Sequence, residues 1–449
     1  MRHRDGGARR EPGPFGRHLT ALPELDAASA SELDARDPLA SFAAEFHHPE
    51  GPAGRKAVYL CGHSLGLQPR AAASYVSREL AEWQRLGVLG HTQGTRPWIG
   101  YHEHAAAGLA ALAGASELEV VAMNSLTVNL HLMMVSFYRP EGRRNCVLME
   151  KSAFPSDRYA VLSQLEYHGL DARHLIEMAP RAGEHALRTE DILEVLAREG
   201  PRLALVLWPG VQYLTGQLFD LGAITAAAQA AGAVVGLDLA HAIGNVPLRL
   251  HDWNADFAVW CSYKYLNAGP GAIGGCFVHE RHAREFGGRR RRLPRFAGWW
   301  GHDKGRRFEM APDFHPIPGA EGWQVSNPPV LSAAPLLASL ELFERAGLAR
   351  LREKSVQLTG FMQRSIQSRL SNAVEIITPL DATQRGSQLS LRLALSSSAA
   401  ERCHERLTAA GVIGDWREPD TLRFAPIALY NSFRDVVEAV DALARAVVA

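Results

Sequence analysis

From Leu60 onward, short runs of Val, Ile and Leu alternate with longer alanine-rich stretches. Val147-Leu148-Met149-Glu150, Leu203-Ala204-Leu205-Val206-Leu207, Ala233-Val234-Val235-Gly236-Leu237, Phe257-Ala258-Val259-Trp260-Cys261 and Ile273-Gly274-Gly275-Cys276-Phe277-Val278 are short and almost wholly apolar. That is the pattern of strands covered on both faces. Helical stretches separate them, and strand-helix alternation predicts a largely parallel α/β sheet. After Asn327-Pro328-Pro329 a long Ala- and Leu-rich helical pattern begins, and polar-apolar alternation follows near Val374 to Ile377 and Gln388 to Leu395. Alternation marks strands with one wet face, so a smaller α+β domain joined by a helix is expected there. At 449 residues the chain exceeds what one core usually supports. The expected division is a flexible tail over 1–20, a segment over 21–60 that packs with the small domain, a large domain over 61–325 and a small domain over 326–449.

Two blocks carry the chemistry. Gly236-Leu237-Asp238-Leu239-Ala240-His241 and Cys261-Ser262-Tyr263-Lys264-Tyr265-Leu266-Asn267 each follow a predicted buried strand. A carboxylate and an amine should therefore emerge at strand ends and face one crevice. The pair suits pyridoxal 5'-phosphate: a lysine forms a Schiff base with its aldehyde, and an aspartate keeps the pyridine nitrogen protonated so that the ring accepts electrons. Taken singly, Asp238 reads equally as a helix cap and Lys264 as a solvated loop residue. Together, with the Gly269-Pro270-Gly271 turn that lets backbone approach a ligand, they favour the cofactor. Its phosphate needs an anion site, and Ser125-Leu126-Thr127 opens an apolar helix after Val120-Val121-Ala122. Backbone N–H groups and the Thr127 hydroxyl would meet the phosphate there, unless Ser125 or Thr127 is a plain N-cap. A polar turn, Phe154-Pro155-Ser156-Asp157, follows the strand ending at Glu150; Phe154 can stack on a ring and Asp157 can hydrogen-bond beside it.

Composition narrows the class. Forty-eight acidic residues balance 48 Lys and Arg, which argues against nucleic acid as the main partner. No apolar run reaches the roughly 20 residues of a membrane span, and the Arg-rich start lacks the apolar core of a secretory signal. Five cysteines without metal-ligand spacing fit a reducing compartment. A cytoplasmic protein without disulfides or a bound metal is expected. The run Arg289 to Arg292 with Arg295 reads as a surface loop, and the first 20 residues hold too few large apolar side chains to order themselves.

From about Leu39 to the C-terminus the chain resembles the kynureninases. The resemblance rests on Cys61-Gly62-His63-Ser64-Leu65-Gly66-Leu67-Gln68-Pro69, Arg96-Pro97-Trp98, Leu126-Thr127-Val128-Asn129-Leu130-His131, Phe154-Pro155-Ser156-Asp157, Asp238-Leu239-Ala240-His241, His251-Asp252-Trp253, Ser262-Tyr263-Lys264-Tyr265-Leu266-Asn267, Gly298-Trp299, Ser326-Asn327-Pro328-Pro329 and Ala425-Pro426-Ile427-Ala428-Leu429-Tyr430-Asn431-Ser432-Phe433. It implies fold type I of the pyridoxal-phosphate enzymes, the aspartate-aminotransferase-like fold, with a mostly parallel seven-stranded sheet in the large domain and a smaller α+β C-terminal domain. The implied reaction is hydrolysis of the Cβ–Cγ bond of kynurenine or 3-hydroxykynurenine to alanine and an anthranilate, in tryptophan breakdown or nicotinamide cofactor synthesis.

Carried over residue by residue, the resemblance puts the cofactor on Lys264, Asp238 at the pyridine nitrogen and His241 close to that end. Leu126, Thr127, Phe154, Pro155, Ser156 and Asp157 would line the cofactor site, with Tyr263 at the phosphate as ligand, proton relay or both. Trp299 and Asn327 would arrive from the second subunit of a homodimer with shared active sites. Lys264 would also be the base at the substrate α-carbon. Arg423, in the apolar Leu422-Arg423-Phe424, is the candidate grip for the substrate carboxylate, and the resemblance also makes Ser64 a substrate-binding residue. His91, Ser326 and Asn327 would face the substrate's aromatic ring. Polar groups there would favour the 3-hydroxylated substrate, although His91 also reads as a structural residue. Two positions depart from the family: His63 where Asn is usual, and Pro209, which cannot donate a hydrogen bond, where Ser or Thr is frequent. The alternatives are another activity of the same fold, such as a cysteine desulfurase or an aminotransferase, and a cofactor-binding regulator without turnover. A desulfurase needs a mobile loop cysteine, and none of Cys61, Cys146, Cys261, Cys276 and Cys403 is placed for that.

Overall fold

The computed structural model describes residues 26–283 and 293–448. The predicted tail and Arg289 to Arg292 lie outside them. Arg295 is described, its guanidinium lying 3.6 Å from the ring centre of Trp323.

Seven strands form the central sheet: β1 (Val120–Ala122), β2 (Cys146–Glu150), β3 (Leu175–Met178), β4 (Leu203–Pro209), β5 (Val234–Asp238), β6 (Phe257–Trp260) and β7 (Gly275–Val278). Their spatial order is β1-β7-β6-β5-β4-β2-β3, and only β7 runs antiparallel to its neighbours. Strands β2, β6 and β7 are buried along their whole length. That explains why they read as continuous apolar runs rather than alternating ones: helices cover both faces, so neither side chain set meets water. The connection from each parallel strand brings its C-terminal end to one edge, where strand-end polar residues collect.

Before the sheet come α1 (Ala27–Arg36) and α2 (Ala72–Leu86); within it α3 (Leu126–Phe137) follows β1 and α4 (Pro155–Tyr167) follows β2. After it come α5 (Val330–Ala346) and α6 (Leu348–Arg369), then a four-stranded antiparallel sheet of β8 (Val374–Ile376), β9 (Leu389–Leu393), β10 (Asp415–Arg417) and β11 (Thr421–Phe424), ordered β10-β11-β9-β8. Helices α7 (Ser397–Ala409) and α8 (Phe433–Val448) complete this part.

Side-chain packing divides the molecule less simply than position along the chain. The buried side of α5, including Leu336, Leu337 and Phe343, joins the core of the large sheet, although the helix lies beyond residue 326. The core under the small sheet begins with Leu358 of α6 and includes Ala30, Val58 and Leu60 from the N-terminal segment. Val58–Tyr59 pairs in parallel with Val412 and Ile413, and Asp34 accepts from the backbone N–H groups of Phe433 and Arg434 at the start of α8, satisfying donors the helix itself cannot use. Leu39 and Phe46 of the same segment pack with the large core instead.

Candidate active site

The C-terminal edge of the sheet opens on a pocket of about 200 Å³ lined by Leu126, Thr127, Glu150, Phe154, Ser156, Asp157, Pro209, Tyr213, Asp238, His241, Tyr263 and Lys264, among others. Local structure explains each placement. Asp238 ends β5, and its carboxylate accepts from the Ala240 N–H at 2.7 Å, which fixes it at the turn leaving the strand. Lys264 follows β6 in a loop that Gly66 approaches closely: the Gly66 N–H donates to the Tyr263 carbonyl at 2.8 Å, and a Cβ on Gly66 would stand 2.4 Å from the Lys264 carbonyl oxygen. Only glycine fits there, which accounts for the glycine among the early residues of the resemblance.

Helices α3 and α4 both start at the pocket without a side-chain cap on their first turn. Pro155 opens α4, where its missing N–H costs nothing. The hydroxyls of Thr127 and Ser156 are 2.8 Å apart. Two helix N-termini and two hydroxyls thus converge, the arrangement that holds a phosphate through free N–H groups and aligned dipoles.

Opposite lies an amine among aromatic faces. The Lys264 Nζ is 3.1 Å from His241 Nε2, 5.7 Å from the centre of Phe154 and 5.8 Å from that of Tyr263. Burial, reinforced by the Lys264 charge, depresses the His241 pKa well below its usual value, so that ring is neutral. Its Nδ1 is buried without a partner. Burial also raises the Tyr263 phenol.

The floor is acidic. Burial, aided by the neighbouring Asp238, pushes Asp157 well above the carboxylate range, and its Oδ1 has no hydrogen-bond partner. Burial pushes Glu150 up to about 8 despite a 3.3 Å hydrogen bond from Gln212. Among the described residues neither carboxyl accepts a hydrogen bond from a cationic group, although the Lys264 charge acts on Asp157, and a protonated pyridine nitrogen is a group that would supply one. The residues therefore fit pyridoxal 5'-phosphate at both ends.

The predicted substrate residues separate into two places. Arg423, fully buried on β11, donates from Nη1 at 2.6 Å to the carbonyl of Tyr213, which lines the Lys264 pocket, and its Nη2 lies 3.3 Å from the Ser64 hydroxyl; the two residues reach that pocket through Tyr213 and do not line it themselves. His91 and Asn327 line a second pocket with Trp83, Trp98, Trp300 and Leu331. Ser326 is exposed beside Asn327. Trp299 donates its indole N–H to the Arg307 carbonyl at 3.0 Å and is half exposed. Within one chain none of these four lines the Lys264 pocket. His63 is fully buried, 3.7 Å from Asp415, and Pro209 sits beside Asp238 in the β4–β5 register.

Three residues of the site escaped the sequence reading. Glu150 was legible as the charged end of an apolar strand. Tyr213, edge-on to Phe154 at 5.3 Å, had no local signal, nor had Asp415, the counter-ion of Arg423.

Residues 351–443 match the family model of the kynureninase C-terminal domain. The chain is 55% identical over 418 residues to a kynureninase of Xanthomonas campestris pv. campestris (strain B100), covering 93% of this chain and 97% of that one. With a kynureninase of Myxococcus xanthus (strain DK1622) it shares 56% over 415 residues, 92% and 96% of the two chains. The chain belongs to the kynureninase family. Solved structures with the same fold include the cystine C-S lyase C-DES in complex with its reaction product cysteine persulfide, at a TM-score of 0.70, 17% identity and coverage of 86% and 97%. Another is the cysteine desulfurase CsdA from Escherichia coli, at a TM-score of 0.69, 19% identity and coverage of 91% and 98%. Their likeness bears on the fold, which is α/β fold type I as expected. In this kynureninase-family chain, no cysteine lines the Lys264 pocket among the described residues, and Cys261, close to Lys264 in sequence, is a buried thiol whose pKa burial raises. Nor is any helix of the described residues long and apolar enough to cross a membrane.

Proposed function

We propose that the chain hydrolyses the Cβ–Cγ bond of L-kynurenine or 3-hydroxy-L-kynurenine, releasing L-alanine and anthranilate or 3-hydroxyanthranilate, with pyridoxal 5'-phosphate in the first pocket. The observation that carries the reading is the meeting of Lys264, the Asp157–Asp238 pair and two uncapped helix N-termini in one cavity, with Arg423 bonded to the carbonyl of Tyr213 in its wall.

Thr127, Ser156 and the first turns of α3 and α4 would hold the phosphate, Asp238 and Asp157 would hold the ring nitrogen, and Phe154 would cover the ring. When bound, the cofactor supplies a conjugated cationic ring that accepts the electron pair of a bond broken at the substrate α-carbon. Lys264 Nζ takes the α-proton. The uncharged His241, 3.1 Å away, adds no positive charge that would oppose the proton's arrival. Arg423, held by the Tyr213 carbonyl, grips the substrate carboxylate and fixes the α-carbon before a proton moves. The Tyr263 hydroxyl, kept protonated by its raised pKa, is a proton donor for the later steps.

The second pocket supports a homodimer. Trp83 and Leu331, which line it, are exposed apolar side chains, as are Val88 and Leu89 in the short turn that ends at the lining residue His91, and burial of such a face drives association. In that arrangement Trp299, Ser326 and Asn327 of one copy, with His91, complete the aromatic end of the other copy's Lys264 pocket and select the ring substituent.

The test is an absorbance spectrum of wild type and Lys264→Ala with each substrate, while anthranilate fluorescence and alanine are recorded. Yellow wild type with fluorescent product, and neither in the variant, is the expected result. Colour without product from either substrate would sink the kynureninase reading; no colour with added pyridoxal 5'-phosphate would sink the cofactor reading as well.

A further inference from the structure

The grip on the substrate carboxylate is already taken. Asp415 on β10 stands directly across from Arg423 on β11 in antiparallel register, so the two side chains share a face of the small sheet. Arg423 donates from Nη2 to Asp415 Oδ2, and Ser64 donates its hydroxyl to the same oxygen. Nη1 is committed to the Tyr213 carbonyl, and Nε is buried without a partner. A two-point grip on a carboxylate uses two parallel N–H groups. The Nε–Nη2 edge, whose Nε–H is unused, is thus half occupied by an internal carboxylate.

The other oxygen of that carboxylate has a different partner. Arg417 lies two residues beyond Asp415 on β10, on the same face, and its Nη1 is 2.9 Å from Asp415 Oδ1. The Asp415 side chain is 8% exposed and that of Arg417 is 40% exposed, so Arg417 has room to follow. Two guanidiniums share one carboxylate, leaving one positive charge, which a single incoming carboxylate would neutralise. His63, 3.7 Å from Asp415, is held neutral by burial and the surrounding cations, and burial with the Asp415 charge raises the Cys61 thiol and the Tyr59 phenol, so both stay neutral too.

We propose that Asp415 is a positioning residue that stands in for the substrate carboxylate: it keeps Arg423 aligned in the empty site and passes to Arg417 when substrate takes the Nε–Nη2 edge. The proposal rests on Arg423 as the carboxylate grip. It makes Arg417 a determinant of substrate affinity without contact to the substrate, and frees the Ser64 hydroxyl for the substrate at the moment of exchange.

A mutant cycle on the holoenzyme tests it, with KM and kcat for L-kynurenine and inhibition by acetate measured for wild type, Asp415→Asn, Arg417→Gln and the double variant. Retained absorbance of the bound cofactor reports that each variant is folded. Arg417→Gln leaves Asp415 nowhere to go, so KM rises about fivefold, the worth of a partly exposed ion pair, while kcat changes little. Asp415→Asn removes the internal competitor, so acetate inhibits at lower concentration and kcat falls as Arg423 loses alignment. In the Asp415→Asn background, Arg417→Gln has no further effect on KM. An equal rise in KM in both backgrounds would overturn the exchange, since Arg417 would then act only as a distant charge. Unchanged acetate inhibition in Asp415→Asn would overturn it too. Arg423→Gln separates the two levels: an unchanged KM there removes the grip itself, whereas a large rise in KM with an additive cycle removes only the exchange.

Discussion

Glu150→Gln isolates the electrostatic cost built into the pocket. Glu150 ends β2, is buried, and burial raises its carboxyl from 4.5 to about 8. A carboxyl whose folded pKa is raised binds its proton more tightly in the folded chain than in the unfolded one. Its contribution to stability is therefore fully present below pH 4.5, declines as pH rises toward about 8, and is constant above that. One pKa unit is worth about 1.4 kcal/mol, so the group's contribution to apo-protein stability falls by about 1.4 kcal/mol per pH unit across that window, and by roughly 5 kcal/mol in all. Glutamine reproduces the shape of the neutral acid and still accepts the Gln212 hydrogen bond, but has nothing to titrate. Urea unfolding of both apo-proteins at equal concentration from pH 5 to 8.5 gives the difference in stability directly, since other titrating groups cancel to first order. The variant should gain on wild type with rising pH and level off near pH 8. Parallel pH profiles for the two proteins would refute the burial argument. Saturation with pyridoxal 5'-phosphate should shrink the difference, because a cationic ring in the pocket favours the ionised acid.

Thr127→Val with Ser156→Ala removes two hydroxyls from the phosphate site while leaving the helix N-termini, so cofactor affinity should fall by about 10- to 100-fold, read by fluorescence titration of the apo-enzyme. Undiminished affinity would place the phosphate elsewhere. Gly66→Ala puts a methyl group against the Lys264 carbonyl and the Asn267 side chain, so kcat should drop by at least about tenfold through displacement of the Lys264 loop, with the far-UV spectrum unchanged. Paired substitution of His91→Trp and Asn327→Thr should erode any preference for 3-hydroxykynurenine; unchanged relative kcat/KM would exclude the second pocket from substrate choice.

Much of the architecture was legible along the chain because it depends on near neighbours. A run such as Phe257–Trp260 is apolar at every position, and a strand with no wet face is the arrangement that needs this. Residues just beyond such runs, Asp238 and Lys264, are placed at the sheet edge by strand length alone. Pro155 after Phe154 marks a helix start for an equally local reason, the lost N–H. Burial, charge state and partnership obey a different rule, since they depend on which distant segments meet. Thr127 and Ser156, 29 residues apart, touch because α3 and α4 start at one point. Asp415 reaches Arg423 only through antiparallel pairing, and Ser64, 351 residues before Asp415, closes that cluster from the N-terminal side. Helix α5 joins the large core although its position along the chain assigns it to the small domain. The same applies to Glu150 and Asp157: their residue types were readable, but the pKa of each follows from a low-dielectric cavity assembled by three strands, two helices and the loops between them. Local pattern therefore decided the elements and the chemistry available at their ends, whereas tertiary packing decided protonation, pairing and which of those ends form one site.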